Sequence, residues 1–168
     1  ENNQAKAQSV TPKNGNIINI IPENKELGLV GIPKEINKDF LLNIIKKNTI
    51  PVMIPLGTGN DRKIYNINAD VAAGAVAKKL KSRRLLLMTD VEGVLDKNNK
   101  LILEINSDVA KRMLEEGTIS GGMIPKINTC IDAVENGVTG VVIVDGRKPH
   151  SILFELFSDK GSGTLIRK

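Results

Sequence analysis

Apolar residues along the chain fall into short runs divided by polar turns, with few long amphipathic stretches. Ile17, Ile18, Ile20 and Ile21 predict a short strand, and residues 28–36 a second, weaker one. Phe40, Leu41, Ile44 and Ile45 recur at helical spacing behind Asn37, which is placed to cap a helix running to residue 47. The β-branched run 50–56 predicts a buried strand, and residues 57–63 carry turn chemistry. An alanine-rich helix is expected over 69–80. A second buried strand over 85–88 runs into Thr89-Asp90. Residues 96–100 read as a hairpin tip. Ser107 is expected to cap a helix through 116, with Gly117 as its C-cap. Gly121-Gly122 open the next helix, which ends near Asn136-Gly137. Residues 140–144 predict a strand. Pro149 is expected in the first turn of a last helix, which stops before Gly161, and residues 164–166 close the chain as a strand. Residues 1–16 show no periodicity and are expected to form a mobile lead-in or surface loop.

Strands alternating with helices predict the α/β class, with a mainly parallel sheet covered by helices on both faces. Ligands of such sheets bind beyond the carboxyl ends of the strands. That rule points to Thr89-Asp90, to Asp145-Gly146 and to the loops that precede helices. No internal repeat or low-complexity tract interrupts the pattern.

Composition narrows the function classes. The chain has 168 residues and is 40% apolar, enough for a real core. No apolar run approaches the roughly 20 residues of a membrane helix, and residues 1–13 lack the apolar core of a signal peptide. A soluble, cytoplasmic protein is expected, without membrane partners. Cys130 and His150 are the sole cysteine and histidine. They allow neither an internal disulfide nor a zinc site, so no protein-held metal is expected. Cys130 reads as a small buried helix residue. The net charge is +5, which would suit nucleic acid or an anionic substrate. The only aromatics are Phe40, Tyr65, Phe154 and Phe157, and no basic run is interleaved with them, which argues against nucleic acid. Lys78, Lys79, Lys81, Arg83 and Arg84 read as a solvated helix end and turn, where cations suit the helix dipole.

Three segments carry candidate chemistry. In Tyr65-Asn66-Ile67-Asn68-Ala69-Asp70, inward Ile67 and Ala69 would turn Asn66, Asn68 and Asp70 outward together. Asn68 equally suits a helix N-cap, and Asp70 equally suits the first turn of a helix. In the segment Met88-Thr89-Asp90-Val91-Glu92-Gly93-Val94-Leu95, a strand enters a glycine-containing polar turn that suits adenine or ribose contacts, as it would suit any strand end. The third is Thr118-Ile119-Ser120-Gly121-Gly122-Met123-Ile124-Pro125-Lys126. Its glycines would let backbone N–H groups approach a phosphate at a helix start, and Lys126 lies where a cation opposes the helix dipole unless it meets an anion. The spacing of a Walker motif is absent.

In order along the chain, Tyr-Asn-Ile-Asn-Ala-Asp at 65–70, Thr-Asp-Val-Glu-Gly-Val-Leu-Asp at 89–96, Ser-Gly-Gly-Met-Ile-Pro-Lys at 120–126 and Asp-Gly-Arg-Lys-Pro-His at 145–150 resemble the N-acetylglutamate kinases. So does the ending Leu-Phe-Ser-Asp-Lys-Gly-Ser-Gly-Thr-Leu-Ile at 156–166. The resemblance runs from about residue 28 to 166. It implies phosphorylation of the γ-carboxylate of N-acetyl-L-glutamate by ATP, in arginine biosynthesis, with Mg²⁺ held through the phosphates. It also implies that residues 17–168 form one ATP-binding portion carrying part of the substrate site. Asn66 and Asn68 would meet acetylglutamate, Asp70 would hold catalytic lysines in place, and Lys126 would stabilise the transferring phosphoryl group. Residues Thr89, Asp90, Val91, Glu92, Gly93, Val94 and Leu95, with Thr118, Ile119, Ser120, Gly121 and Gly122, would hold ATP. His150, Glu155, Gly161 and Gly163 resemble the segment that binds arginine in feedback-inhibited members, and the whole enzymes are homo-oligomers.

The family opens with a strand, a Lys-x-Gly-Gly segment, a second glycine pair and a substrate-gripping arginine, and residues 1–16 match none of these. The resemblance therefore implies a missing N-terminal lobe as the partner of this chain, and an isolated chain without appreciable kinase activity. Two other readings stay open. One is another amino-acid kinase, acting on aspartate, glutamate, carbamate or uridylate. The other is a non-catalytic nucleotide-binding or regulatory module.

Overall fold

A computed structural model describes residues 4–159 and 161–168. Residues 1–3 of the expected lead-in and Lys160 of the closing motif lie outside the described residues. The chain divides between Leu80 and Lys81 into two compact units.

In the first unit, β1 (Lys6–Val10) pairs in parallel with β4 (Thr49–Met53), in register from Lys6↔Thr49 to Val10↔Met53. The lead-in expected over 1–16 is thus a strand for five of its residues. Its order comes from a partner some 40 positions away, and strand formation depends on such pairing more than on intrinsic preference. A second sheet runs β3 (Gly31–Ile36), β2 (Ile18–Pro22), β5 (Leu56–Thr58), β6 (Ile64–Asn66). The turn between β5 and β6 is held by Asp61, whose carboxylate accepts the Lys63 N–H at 3.0 Å and the Tyr65 hydroxyl at 3.0 Å. The Lys63 N–H, more than the tyrosine, draws the Asp61 carboxyl below its usual range.

Helix α1 (Lys38–Ile45) starts where Asn37 predicts it: the Asn37 side chain accepts the Phe40 N–H at 3.1 Å. Leu41 and Ile44 turn inward to meet Ile17, Ile18, Ile20, Ile36, Tyr65, Ile67 and Ala72, the core of this unit. Helix α2 (Ala69–Leu80) follows, burying Ala72, Gly74 and Ala77. The run 50–56 is not the buried strand its hydrophobicity predicts. Ile50, Val52 and Ile54 are exposed, because β4 alternates its side chains and one face of the β1–β4 pair is uncovered in this chain.

The second unit is built on a sheet ordered β7 (Leu85–Thr89), β9 (Val141–Asp145), β10 (Gly163–Arg167), β8 (Glu104–Asn106). β7 and β9 are parallel, from Leu85↔Val141 to Thr89↔Asp145. β10 is antiparallel to β9 and parallel to β8. All five residues of β9 are buried, so this strand is covered on both faces, as its continuous apolar run predicts. Helices α3 (Ser107–Glu115), α4 (Met123–Glu135) and α5 (Ser151–Phe157) complete the unit.

The α/β class is as the alternation predicts. Parallel pairs (β1/β4, β2/β5, β7/β9, β8/β10) are interleaved with antiparallel ones (β2/β3, β5/β6, β9/β10), and the strands are spread over three sheets rather than one. The short connection between β5 and β6 leaves no room for a crossover, and a tight hairpin pairs strands antiparallel.

Two helix starts differ from the sequence reading. Asn106, one residue before the expected Ser107, caps α3 by accepting the Val109 N–H at 2.8 Å, and Ser107 is buried as the first helical residue. Pro149 lies in the turn before α5, whose cap is His150. Among the described residues no helix is long and apolar enough to cross a membrane.

Candidate functional site

The parallel strands β7 and β9 deliver two loops at the same end of the second unit's sheet. Their last residues, Thr89 and Asp145, are register partners. The Gly146 N–H then donates to the Thr89 carbonyl at 2.8 Å, carrying the ladder one step past the strands. Asp145 is 2% exposed, and Arg147 folds back on it. Arg147 Nε and Nη2 donate to the two carboxylate oxygens at 2.9 and 3.0 Å, and the Arg147 backbone N–H adds a bond of 2.9 Å. The arginine side chain, first among these donors, pulls the Asp145 carboxyl down from 3.8 to about 2. Farther out, Lys148 Nζ lies 2.6 Å from Glu92 Oε1 and ties the two loops together.

The loop that leaves β7 holds the predicted Thr89–Leu95 segment. Thr89 is half-buried, while Asp90, Val91 and Glu92 are exposed to solvent and Gly93 and Val94 are buried. The Thr89 hydroxyl makes a long contact to Asp90, at 3.4 Å. Beyond Leu95 the chain turns at the hairpin expected over 96–100. Asp96 accepts the Asn98 and Lys100 N–H groups at 2.8 Å each, and the Lys100 N–H is the larger cause of its lowered carboxyl pKa.

Thr164 reaches this loop from β10. Its hydroxyl donates to the Ile102 carbonyl at 2.6 Å and accepts the Val94 N–H at 2.8 Å. The sequence places Thr164 in the closing strand and in the 156–166 motif, and it gives neither the hydroxyl's partners nor the pairing of Asp145 with Arg147. The acid–arginine spacing of two was the available signal for the pair. For Thr164 no local signal exists, because its partner lies 70 positions away.

The segment 118–126 leads from the end of α3 into α4. Ile119 is buried, and its N–H donates to the Met113 carbonyl at 3.1 Å, which pins the loop to α3. Thr118 is half-buried, while Ser120, Gly121 and Gly122 are exposed ahead of α4. No side chain caps α4; Gly122 occupies the cap position. The start of this helix therefore presents backbone rather than side-chain polarity, which favours an anion. Lys126 lies half-buried in the first turn.

In the first unit, Tyr65 and Ile67 point into the core, while Asn66 and Asn68 are exposed on the other side. The alternation expected to continue through Ala69 stops there. Ala69 is exposed and begins α2, where the period changes from two to 3.6. Asn68 caps that helix, accepting the Asp70 and Val71 N–H groups at 3.0 and 3.2 Å. Asp70 is half-buried in the first turn.

The segment 161–163 is drawn against α5 at two points. Glu155, on α5, accepts the Ser162 N–H at 3.0 Å, and the Ser162 hydroxyl donates to the Ser151 carbonyl at 2.8 Å, so the turn at Gly161-Ser162 is fastened to α5. His150 is exposed and left-handed, with φ 61°, and its side chain does not cap α5. Gly163 is fixed by packing: a Cβ there would lie 1.9 Å from the Ile143 carbonyl oxygen. An open polar cleft of about 540 Å³ in the first unit, lined by Asn16, Asn19, Glu35, Asn37, Lys38 and Lys79 among others, includes none of these residues.

Residues 2–145 match the amino acid kinase family. A curated acetylglutamate kinase of Pelagibacter ubique (strain HTCC1062) is 58% identical over 163 residues, covering 97% of this chain and 57% of that protein. The chain spans about half the length of the curated relatives it matches. The crystal structure of smu.665 from Streptococcus mutans UA159 superposes with a TM-score of 0.81 at 30% identity, over 97% of this chain and 61% of the other. N-acetylglutamate synthase from Neisseria gonorrhoeae, crystallised with coenzyme A and N-acetyl-glutamate, shares the fold with a TM-score of 0.88 at 24% identity, over 98% of this chain and 38% of that one.

Proposed function

This chain belongs to the amino acid kinase family, and from that premise we propose that it forms the nucleotide-binding part of an acetylglutamate kinase. The reaction is transfer of the γ-phosphoryl group of ATP to the γ-carboxylate of N-acetyl-L-glutamate, giving ADP and an acyl phosphate.

The observation that carries this reading is the meeting of two loops beyond the carboxyl ends of adjacent parallel strands. Residues 89–95 and 145–150 are locked to each other by the Gly146–Thr89 hydrogen bond and the Lys148–Glu92 ion pair. An α/β sheet binds its ligands at that edge. The 58% identity to an acetylglutamate kinase adds the chemistry.

Phosphoryl transfer asks the protein for positioning and charge neutralisation more than for covalent chemistry. The exposed part of the 89–95 loop takes the adenosine end of ATP. The glycines before α4 let backbone N–H groups approach the phosphates, and Lys126 neutralises charge as the phosphoryl group moves. Asn66 contacts acetylglutamate and Asp70 orients cationic side chains, while Asn68 shapes the start of α2. Mg²⁺ travels on the phosphates, as a hard cation does; among the described residues no three His, Cys, Asp or Glu side chains converge as a ligand set. Glu155 and the Gly161-Ser162 turn form the protein side of a regulatory arginine pocket.

Two measurements test the proposal. Calorimetric titration of the purified chain with Mg²⁺·ADP should give saturable, single-site binding. Hydroxylamine trapping of acyl phosphate, in the acetylglutamate kinase carrying this segment, should depend on both ATP and N-acetyl-L-glutamate. Absence of nucleotide binding, or equal trapping with aspartate or glutamate in place of acetylglutamate, would reject it.

A further inference from the structure

Resting on the reading of residues 89–95 as the nucleotide loop, we propose that Thr164 is a positioning residue for that loop: its hydroxyl fixes the backbone of Gly93-Val94 in the conformation that nucleotide binding requires.

Thr164 is fully buried, at 0% exposure. A threonine hydroxyl has one proton to give. Here the proton goes to the Ile102 carbonyl, 2.6 Å away, so the oxygen lone pairs are left to receive the Val94 N–H at 2.8 Å. The two bonds therefore define the orientation of the hydroxyl and clamp both arms of the hairpin beyond the loop. The Ile102 N–H closes the third side by donating to the Val94 carbonyl at 2.9 Å. Gly93 matches this clamp in shape. Its φ is +148°, and a Cβ at that position would stand 2.5 Å from Thr164 Oγ1.

The exposed residues Asp90, Val91 and Glu92 stand between the end of β7 and this clamp. One end of the loop is set by the sheet, at Thr89, and the other by the Thr164 hydroxyl acting with the Ile102–Val94 backbone bond. Without that hydroxyl the buried Val94 N–H and the half-buried Ile102 C=O each lose a partner, and the cheapest response is for the loop end to shift toward water. A shift of that kind misaligns groups that must meet a ligand at fixed distances.

The test compares Thr164→Val, which keeps the shape and removes the hydroxyl, with Thr164→Ser, which keeps the hydroxyl. The probe is Mg²⁺·AMP-PNP in calorimetry, with hydrogen exchange of the Val94 amide as a second measurement. Thr164→Val is expected to bind about tenfold more weakly and to exchange the Val94 amide about tenfold faster, the scale of one lost buried hydrogen bond, with the β9 amides unchanged. Thr164→Ser is expected to stay within about threefold of the parent on both measures. If Thr164→Val does not fold, Thr164→Cys replaces it, with a weaker sulfur partner and an intermediate loss expected. Parent-like AMP-PNP affinity in the hydroxyl-lacking variant overturns the proposal even if Val94 exchange is faster, and so does a loss of affinity that Thr164→Ser shares. Failure of the parent itself to bind AMP-PNP overturns the nucleotide-loop reading and this proposal with it.

Discussion

Arg147 closes on Asp145 in a planar fork, with two side-chain bonds of 2.9 and 3.0 Å reinforced by its own backbone N–H. This grip has a pH signature. The folded-state carboxyl titrates at about 2, against an ordinary value of 3.8. A carboxylate whose pKa is depressed by folding contributes stability above its unfolded pKa and loses it as pH falls through the folded value. Asp145→Asn should therefore destabilise the chain at neutral pH, and the gap between variant and parent should narrow as pH falls from about 4 to 2. Urea denaturation at a series of pH values checks this; a gap independent of pH would mean the charge on Asp145 is not what holds the loop.

Asn68 caps α2, whereas the proposed function gives Asn66 the contact to acetylglutamate, so substitutions tell the two roles apart. Asn68→Ala should cost about 1 kcal/mol of stability, the usual loss of an N-cap, with Asn68→Ser close to the parent. Asn66 is exposed and outside the caps, so Asn66→Ala should change stability by less than about 0.5 kcal/mol while raising the KM for acetylglutamate. Thermal unfolding and steady-state kinetics of both variants give the answer.

If the proposed function holds, Lys126→Ala in the whole enzyme should lower kcat by about 100-fold, as the loss of one transition-state donor does. KM for ATP should change far less, because a charge aimed at the moving phosphoryl group acts mainly in the transition state. A kcat within about threefold of the parent would remove Lys126 from that role.

Gly163→Ala tests packing rather than chemistry. A Cβ there meets the Ile143 carbonyl oxygen at 1.9 Å, a backbone atom that cannot rotate away. The variant should lose about 3 kcal/mol or more by separating β9 from β10. Guanidinium denaturation measures the loss, and a parent-like midpoint would mean the strands close differently.

Glu155 should matter twice. Glu155→Ala removes the acceptor of the Ser162 N–H and should loosen the Gly161-Ser162 turn, seen as faster amide exchange at Ser162. The regulatory reading further expects arginine to bind the parent enzyme and to bind Glu155→Ala at least about tenfold more weakly, the loss of a charge-assisted fork. Calorimetry showing equal arginine binding to both, or binding to neither, would dismiss it.

What could be read along the chain was what is decided locally. The Asn37 cap, the Gly117 stop with φ +71°, the glycine-led start of α4 and the Asp96 turn all follow from residues within a few positions of one another. Asn106 and Ser107 are adjacent capping residues, and only the fold decides between them. The strand at Lys6–Val10, the exposed face of β4 and the Thr164 clamp were not legible, because each depends on a distant segment. The candidate site divides the same way. Its motif residues stand out in the sequence, but the hydrogen bonds already occupying Asn68 and Glu155, and the pairing of Asp145 with Arg147, are properties of the folded chain.

The strand order β7-β9-β10-β8 also sets a timetable for assembly. β8 joins the sheet through β10, and the two are separated in sequence by α3, α4, β9 and α5. A growing chain can pair β7 with β9 as soon as residue 145 has emerged, but β8 must wait, edge unfilled, until residues 163–167 arrive to seat it. Contacts that close loops of this length are slow to form. The interval before β10 docks is thus the stage at which this unit is most open to mispairing and to capture by other chains.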